Sequence, residues 1–88
     1  MLKITKYSAN FCKPCKTIEK TMDEILPSYN TSVDYRVVDI DENIELADEM
    51  QIRNVPTMIF EKNGKIVLRF TGTRSGNEIK KLIDQYIY

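Results

Sequence analysis

The sequence contains no histidine and only two cysteines among its 88 residues. A protein zinc site needs about four ligands, usually cysteine or histidine, so a single chain of this composition does not complete one of that kind. Covalent haem attachment requires a histidine directly after a Cys-x-x-Cys pair, and Lys16 occupies that position. Zinc binding and haem attachment are therefore poor explanations for the two cysteines.

Long apolar runs, internal repeats and low-complexity segments are also missing. No stretch approaches the roughly 20 apolar residues of a membrane-spanning helix, and the amino-terminal residues lack the apolar segment of a signal peptide. We therefore expect a cytoplasmic protein with a single domain over residues 1–88 and no membrane contact. The formal net charge is zero, so nothing indicates binding to nucleic acid.

The charges are unevenly distributed along the chain. Residues 1–20 carry five lysines and one glutamate, residues 21–50 carry nine acids and one arginine, and residues 51–88 carry seven bases and three acids. One interpretation is ordinary solvated helix faces. The other is that the cysteine end of the molecule is basic and attracts acidic partners.

The two cysteines, Cys12 and Cys15, are separated by two residues and precede a helical pattern. At a helix start this spacing brings the sulfurs within bonding distance, and the helix amino terminus favours a thiolate. Lys13 and Lys16 add positive charge, and Pro14 is tolerated in a first helical turn. A structural disulfide is the alternative, but so short a ring removes little unfolded-chain entropy. In a reducing cytosol the pair indicates redox chemistry.

The patterning predicts an α/β protein with the order β-α-β-α-β-β-α and a four-stranded mixed sheet with helices on both faces. The strands are predicted over residues 2–8, 33–40, 57–61 and 65–71, with the first two parallel. Asn63-Gly64 predicts a tight hairpin turn. Asp41 is expected to cap the second helix, and Ser75 to open the third with a capping box to Glu78.

Apolar residues at helical spacing predict which side of each helix is buried. In the first helix, which Pro27 should end near Leu26, these positions are Cys15, Ile18, Met22, Ile25, Leu26 and Tyr29. In the second they are Ile44, Leu46, Ala47 and Met50, and in the third Ile79, Leu82, Ile83, Tyr86 and Ile87.

Val55-Pro56 precedes the third strand. A proline at that position is either a simple loop device or a cis-proline held against the cysteines. In the second case the backbone of Val55 would pair with an extended substrate segment by strand addition.

These motifs together resemble the thioredoxin family. Residues 11–16 (Phe-Cys-Lys-Pro-Cys-Lys) resemble the family's Trp-Cys-Gly-Pro-Cys-Lys, and residues 38–41 and 52–57 resemble its second strand and cis-proline loop. Phe60, Asn63-Gly64 and Gly72 also match in position. The resemblance spans residues 2–88 and lacks the family's extra amino-terminal strand and helix, which leaves the minimal core shared with glutaredoxins.

The resemblance implies a protein-disulfide reductase in which Cys12 is the nucleophile and Cys15 resolves the mixed disulfide. Around them it implies a substrate-binding groove formed by Phe11, Lys13, Pro14, Val55, Pro56 and Gly72. Thiol exchange needs no metal or organic cofactor. The expected partners of this monomer are disulfide-containing proteins and a thioredoxin reductase or equivalent reductant.

Two departures from the family concern charge. The family's buried aspartate and its partner lysine are replaced by Lys6 and Val37. We expect Lys6 to lie near Cys15 and favour its thiolate; the alternative is that Lys6 extends to solvent. Lys13 replaces a glycine and should make the protein more oxidising than an ordinary thioredoxin.

Two other functions also fit the sequence. The basic residues Lys13, Lys16, Arg53 and Arg74 suit anionic glutathione, as in a glutaredoxin, although the glycine-and-acid signature of glutaredoxins is missing. The chain also fits a non-enzymatic interaction subunit with a thioredoxin fold.

Overall fold

The computed structural model describes residues 1–88 and confirms the predicted order of elements. In chain order they are β1 Leu2–Ser8, α1 Lys13–Ile25, β2 Val33–Asp39, α2 Ile44–Glu49, β3 Thr57–Lys62, β4 Lys65–Thr71 and α3 Gly76–Tyr86. Two short 3-10 turns, Leu26–Ser28 and Asn30–Ser32, follow α1, which ends where Pro27 predicted. None of the α-helices combines the length and the apolar character needed to span a lipid bilayer.

The four strands form one mixed sheet in the order β2-β1-β3-β4. β1 and β2 are parallel, as predicted, and β3 runs antiparallel to both β1 and β4. The register pairs Ser8 with Asp39 and Tyr7 with Thr57. The last residues of β1 and β2 and the first residues of β3 therefore lie at one end of the sheet. The β3–β4 hairpin lies at the opposite end.

The main core lies between the sheet and the pair formed by α1 and α3. Its nine buried residues are Leu2, Ile4, Ile18, Met22, Ile25, Met58, Phe60, Ile79 and Ile83. These residues sit at alternate positions of β1 and β3 and on one side of each helix, as the periodicity predicted. Fully burying one such side chain contributes roughly 1.5–3 kcal/mol of transfer free energy.

The opposite face of the sheet is covered by α2 and the segment that follows it. Ala47 and Ile52 pack there against Tyr7 and Ile59.

Three predictions for α2 were wrong. Ile44 and Leu46 are 71% and 37% exposed, because a six-residue helix turns only one narrow side toward the sheet. The residue at the cap position is Asn43, not Asp41. Asn43 donates through Nδ2 to the Asp39 carbonyl, and the backbone N–H of Asp41 donates to the Asp39 carboxylate, so side chains at the end of β2 shape this turn.

The predicted turn and helix start are present elsewhere. Asn63 and Gly64 both adopt positive φ at the hairpin, at 54° and 78°. The Ser75 hydroxyl accepts a hydrogen bond from the Glu78 N–H at 3.2 Å, which is one half of a capping box. The Glu78 carboxylate contacts the Ser75 hydroxyl in place of its N–H, so the reciprocal half is not formed.

Arg69 on β4 fastens the end of α2 to the sheet. Its guanidinium donates to the carbonyls of Met50 and Gln51 at 2.6 and 2.7 Å. These carbonyls belong to the end of a helix, where backbone acceptors lack intrahelical partners. The segment that leads from α2 into β3 is thereby anchored at its start.

Gly76 opens α3 where this helix lies against α1, and it offers a test of their packing. An added Cβ would meet methyl groups of Ile25 and Thr21 at 3.5 and 3.6 Å, which is ordinary van der Waals contact. We expect Gly76→Ala to raise the free energy of unfolding by roughly 0.4–1 kcal/mol, because it restricts only the unfolded chain. Gly64→Ala should lower it by about 1 kcal/mol, since φ there is +78°.

Urea unfolding of the oxidised protein, followed by circular dichroism, measures both effects. A lower unfolding midpoint for Gly76→Ala would contradict the spacing of α1 and α3 described above.

Candidate active site

The cysteine pair lies at the end of the sheet where β1 ends, in the dithiol loop (residues 9–12) and the first turn of α1. Phe11 turns the chain with a φ of 62°, and Cys12 is the cap residue of α1. The Cys12 sulfur accepts a hydrogen bond from the Cys15 N–H at 3.2 Å. The two residues form a disulfide with Cα atoms 5.2 Å apart, the proximity that the sequence predicted.

The two sulfurs differ in their access to solvent. Cys12 is partly exposed, whereas Cys15 is 1% exposed beneath the helix turn. Attack on an external disulfide requires a reachable sulfur in line with the bond that breaks. Only Cys12 meets that requirement in this structure.

A second segment, the proline loop (residues 51–56), lies against the cysteines. The Val55–Pro56 peptide bond is cis, and the Val55 carbonyl oxygen lies 3.9 Å from the Cys12 sulfur. Pro56 is buried, and Thr57 fixes the turn by donating its hydroxyl to the Asn54 carbonyl at 2.6 Å. The N–H of Val55 donates to no protein atom.

The glycine loop (residues 72–75) completes the surface around Cys12. The Gly72 N–H donates to the Pro56 carbonyl at 2.9 Å, and Gly72 has a φ of 82°. This bond places the glycine loop beside the proline loop. On the far side of Cys12, Phe11 projects with 96% of its surface exposed. The structure thus brings Phe11, Cys12, Val55, Pro56 and Gly72 into one surface region.

Lys6 is buried directly behind the cysteines. Its side chain is 0% exposed, and its Nζ lies 3.4 Å from the Cys15 carbonyl oxygen. The alternative, in which Lys6 extends to solvent, is therefore wrong. A buried ammonium needs a counter-charge, and Glu19 supplies it with a carboxylate oxygen 3.5 Å from Nζ.

Sequence reasoning missed Glu19. The available signal was its spacing, four residues after Cys15, which places both side chains on one side of α1. A groove of about 340 Å³ is lined by Glu19, Cys15, Phe11, Val37 and Asp39, among others. The Glu19 side chain is 56% exposed, so its carboxylate connects the buried ammonium with water in this groove.

Tyr35 on β2 is a buried tyrosine whose pKa is affected by Glu19. Its hydroxyl is buried and has no hydrogen-bond partner. Burial raises the pKa of Tyr35, and the carboxylates of Glu19 and Asp23 raise this pKa further.

The charge around the cysteines is divided between two sides. On the β3–β4 side of Cys12, the proline loop and the glycine loop contain Arg53 and Arg74 and no acidic residue. Lys13 follows Cys12 directly, and Lys16 lines the groove toward β2. On the β2 side, Asp39 lies at the same end of the sheet as the cysteines and lines the groove with Cys15. The expectation of a basic cysteine end therefore holds on one side only. Because β2 is parallel to β1, the acidic residues at the end of β2 lie at the same end of the sheet as the cysteines.

The arrangement is suited to thiol–disulfide exchange. It offers one accessible sulfur, a second sulfur within bonding distance, and an open surface with an unpaired backbone donor. No group of three or more histidine, cysteine, aspartate or glutamate side chains is placed to hold a metal ion.

Comparisons with known proteins agree with this chemistry. The family model for thioredoxin matches residues 2–85. The thioredoxin of Staphylococcus haemolyticus is 27% identical over 86 residues, which cover 98% of this chain and 83% of that protein. Thioredoxin-T of Drosophila melanogaster is 31% identical over 85 residues, 97% of this chain and 54% of that protein.

Solved structures agree as well. Thioredoxin-2 of a malaria parasite, described as a component of protein secretion machinery, superposes with a TM-score of 0.93 at 26% identity. The match covers 98% of this chain and 84% of that one. A structure described as a malarial protein superposes with a TM-score of 0.91 at 25% identity and covers 100% of this chain and 99% of that one.

Proposed function

This chain is a thiol–disulfide oxidoreductase that belongs to the thioredoxin family, and we propose that Cys12 is its nucleophile and Cys15 its resolving cysteine. The observation that carries the assignment is the unequal exposure of two sulfurs that are joined in one disulfide. The partly exposed Cys12 meets the substrate, and the buried Cys15 meets only Cys12.

The reaction starts from the reduced dithiol. The Cys12 thiolate attacks one sulfur of a substrate disulfide, which forms a mixed disulfide and releases the other substrate sulfur as a thiol. The Cys15 thiolate then attacks the Cys12 sulfur, and the second substrate thiol leaves. Two electrons and two protons pass to the substrate, and the protein is left with the Cys12–Cys15 disulfide. A dithiol reductant returns it to the starting state.

The amino terminus of α1 supports the first step. The Cys15 N–H points at the Cys12 sulfur, and this donor stabilises a thiolate there more strongly than a thiol. Lys13 and Lys16 are exposed in the same helical turn and add positive charge. Lys13, in place of the family's glycine, raises the reduction potential in our proposal, because it stabilises the reduced form.

The surface around Cys12 is the proposed substrate-binding groove. Val55 offers an N–H without a protein partner beside Cys12, which suits an extended substrate segment added to the loop by main-chain hydrogen bonds. Pro56 shapes this loop, and Phe11 and Gly72 form its two borders. The exposed Lys13 and Pro14 lie next to the attacking sulfur.

The cellular setting is part of the proposal. We place residues 1–88 as one domain that acts as a monomer in the cytoplasm, where reducing conditions keep the dithiol available. Its substrates are disulfide-containing proteins, and its reductant is a thioredoxin reductase or an equivalent donor. The chemistry uses no metal or organic cofactor.

A second candidate is a glutathione-coupled reductase. The exposed cations Lys13, Lys16 and Arg53 near Cys12 favour it, since glutathione is anionic. Parallel assays with thioredoxin reductase and with glutathione plus glutathione reductase separate the two. We expect turnover with the former to exceed turnover with the latter, and the reverse result would favour the second candidate.

Lys6 and Glu19 are proposed to act on Cys15 from behind. The Lys6 ammonium lies 3.4 Å from the Cys15 carbonyl oxygen and so brings a positive charge to this residue. That charge favours the Cys15 thiolate, which is the attacking species in the second step. Glu19, paired with Lys6 and open to the groove, accepts the proton that Cys15 loses through water. The two residues replace the acid–lysine pair that other family members carry.

Trapping tests the assigned roles of the cysteines. In Cys15→Ser the second step is lost, so we expect Cys12 to hold substrate proteins as stable mixed disulfides. Cys12→Ser should trap none and should show no disulfide reduction above the rate of the buffer. Non-reducing electrophoresis followed by mass spectrometry measures both results. Trapping through Cys15 in the Cys12→Ser variant would overturn the assignment.

The rate of the second step against pH tests Lys6. Lys6→Met removes the positive charge near Cys15, so we expect slower substrate release at pH 7, by about tenfold, and a midpoint of the pH profile at higher pH. Glu19→Gln should slow release while the Lys6 charge remains. The control is Lys3→Met, which removes an exposed lysine from the opposite face of the same strand.

Release is followed by rapid-mixing fluorescence of a labelled substrate peptide. An unchanged pH profile in Lys6→Met would contradict the role of Lys6. If Lys3→Met slows substrate release as much as Lys6→Met does, the effect of Lys6→Met comes from the change in net charge and not from the position of Lys6.

A further inference from the structure

Arg74 in the glycine loop is held in one position by contacts within the protein. Its Nη1 donates to the carbonyls of Thr71 and Thr73 at 3.1 and 2.9 Å. Its guanidinium carbon lies 4.7 Å from the centroid of the Phe70 ring, within cation–π distance. Such a side chain loses little further rotamer freedom when a ligand binds to it.

The charge of Arg74 is not neutralised by any acid of this protein. The three ion pairs of the structure are Lys3–Glu61, Lys6–Glu19 and Arg36–Asp34. The hydrogen bonds of Arg74 use Nη1 alone, which leaves the N–H groups of Nε and Nη2 without a protein acceptor. A guanidinium with free donors and a stacked face is well suited to bind a carboxylate.

Arg74 lies at the border of the proposed groove. Its Nη1 would be 3.9 Å from a Cβ placed on Gly72, and the Gly72 N–H bonds to the Pro56 carbonyl. A substrate segment that lies along Val55 with its disulfide at Cys12 therefore passes close to the guanidinium. Arg53 in the proline loop is exposed on the same side.

The opposite side of the cysteines carries more acids than cations. Asp39 and Glu19 line the groove there beside Lys16, and Asp41 and Glu42 are exposed in the turn that follows β2. The balance of charged residues around Cys12 is thus positive toward the glycine loop and negative toward β2. This polarity discriminates between substrates, because it attracts an acid on one flank of the disulfide and disfavours it on the other.

We propose that Arg74 is a specificity residue that selects protein disulfides with an aspartate or glutamate beside the attacked cysteine, on the flank that lies over the glycine loop. The inference rests on the reductase function proposed above and names the class of substrate. The partner is an acidic protein segment, and the carboxylate binds to the free Nε and Nη2 donors of Arg74.

The test uses peptides with one internal disulfide that are identical except for the residue beside one cysteine, which is Glu, Gln or Lys. The single-turnover rate of each peptide with the reduced protein is divided by its rate with dithiothreitol. This division removes the intrinsic effect of charge on the reactivity of the disulfide. A second peptide set carries the same substitutions on the other flank.

We expect the normalised rate for the Glu peptide to exceed that for the Lys peptide by about threefold to tenfold, on one flank only. The ratio should fall toward one at about 0.5 M salt, because the interacting groups face solvent. Arg74→Lys should keep the order of rates, Arg74→Gln should reduce the ratio, and Arg74→Glu should reverse it.

Lys65→Gln is the matched control. Lys65 is exposed in the hairpin at the opposite end of the sheet. Its replacement changes the net charge as much as Arg74→Gln does but leaves the groove intact. Circular dichroism of each variant checks folding, and the native protein alone tests the preference if an Arg74 variant fails to fold.

Equal normalised rates for the three peptides in the native protein would overturn the inference and leave the reductase function standing. An unchanged ratio in Arg74→Gln would also overturn it. If the native protein reduces none of the peptides, the proposed function fails and the inference fails with it.

Discussion

The placement of one sulfur at the start of α1 is the constraint on which the site depends. Cys12 caps the helix through its sulfur, which accepts the Cys15 N–H. A cap residue leaves the helix axis with extended backbone, so Cys12 faces outward while Cys15, one turn later, faces the sheet. The same geometry that satisfies a helix terminus therefore separates the two cysteines into a reachable one and a hidden one.

The buried ammonium of Lys6 follows from that geometry. Helix α1 packs on the face of β1 that carries Leu2, Ile4 and Lys6, so Lys6 points at the first turn of the helix and not at solvent. An isolated charge in that position would be strongly destabilising. The carbonyl of Cys15 and the carboxylate of Glu19 compensate it. Because Glu19 is half in water, the pair is less costly than a fully buried one.

Much of the fold could be predicted from the sequence, because local patterns and tertiary packing agree. The alternation in β1, the helical spacing of Ile79 and Ile83, and Asn63-Gly64 each favour the conformation that the core also requires. The start of α2 was predicted wrongly, because the Asp39 carboxylate accepts from the Asp41 N–H and the Asp39 carbonyl accepts from Asn43, which makes Asn43 the cap residue. In a helix of six residues, apolar spacing carries too little information to identify the buried side.

The site was predictable in part for the same reason. The cysteine spacing is local, and it indicated the disulfide directly. The contact between Lys6 and Glu19 joins a strand to a helix thirteen residues later. The spacing of Glu19 from Cys15 indicates only the side of α1 on which Glu19 lies, not its partner. Parallel pairing of β1 and β2 also places acidic residues at the end of the sheet that carries the cysteines. A count of charges along the chain had separated these acids from the basic cysteine segment.

The bonds made by Arg69 have a consequence for substrate affinity. They hold the start of the proline loop, and the Gly72–Pro56 hydrogen bond holds its end. A loop already fixed in this way loses little conformational entropy when a peptide strand pairs with it. In the proposed strand addition, weak main-chain contacts then suffice for docking.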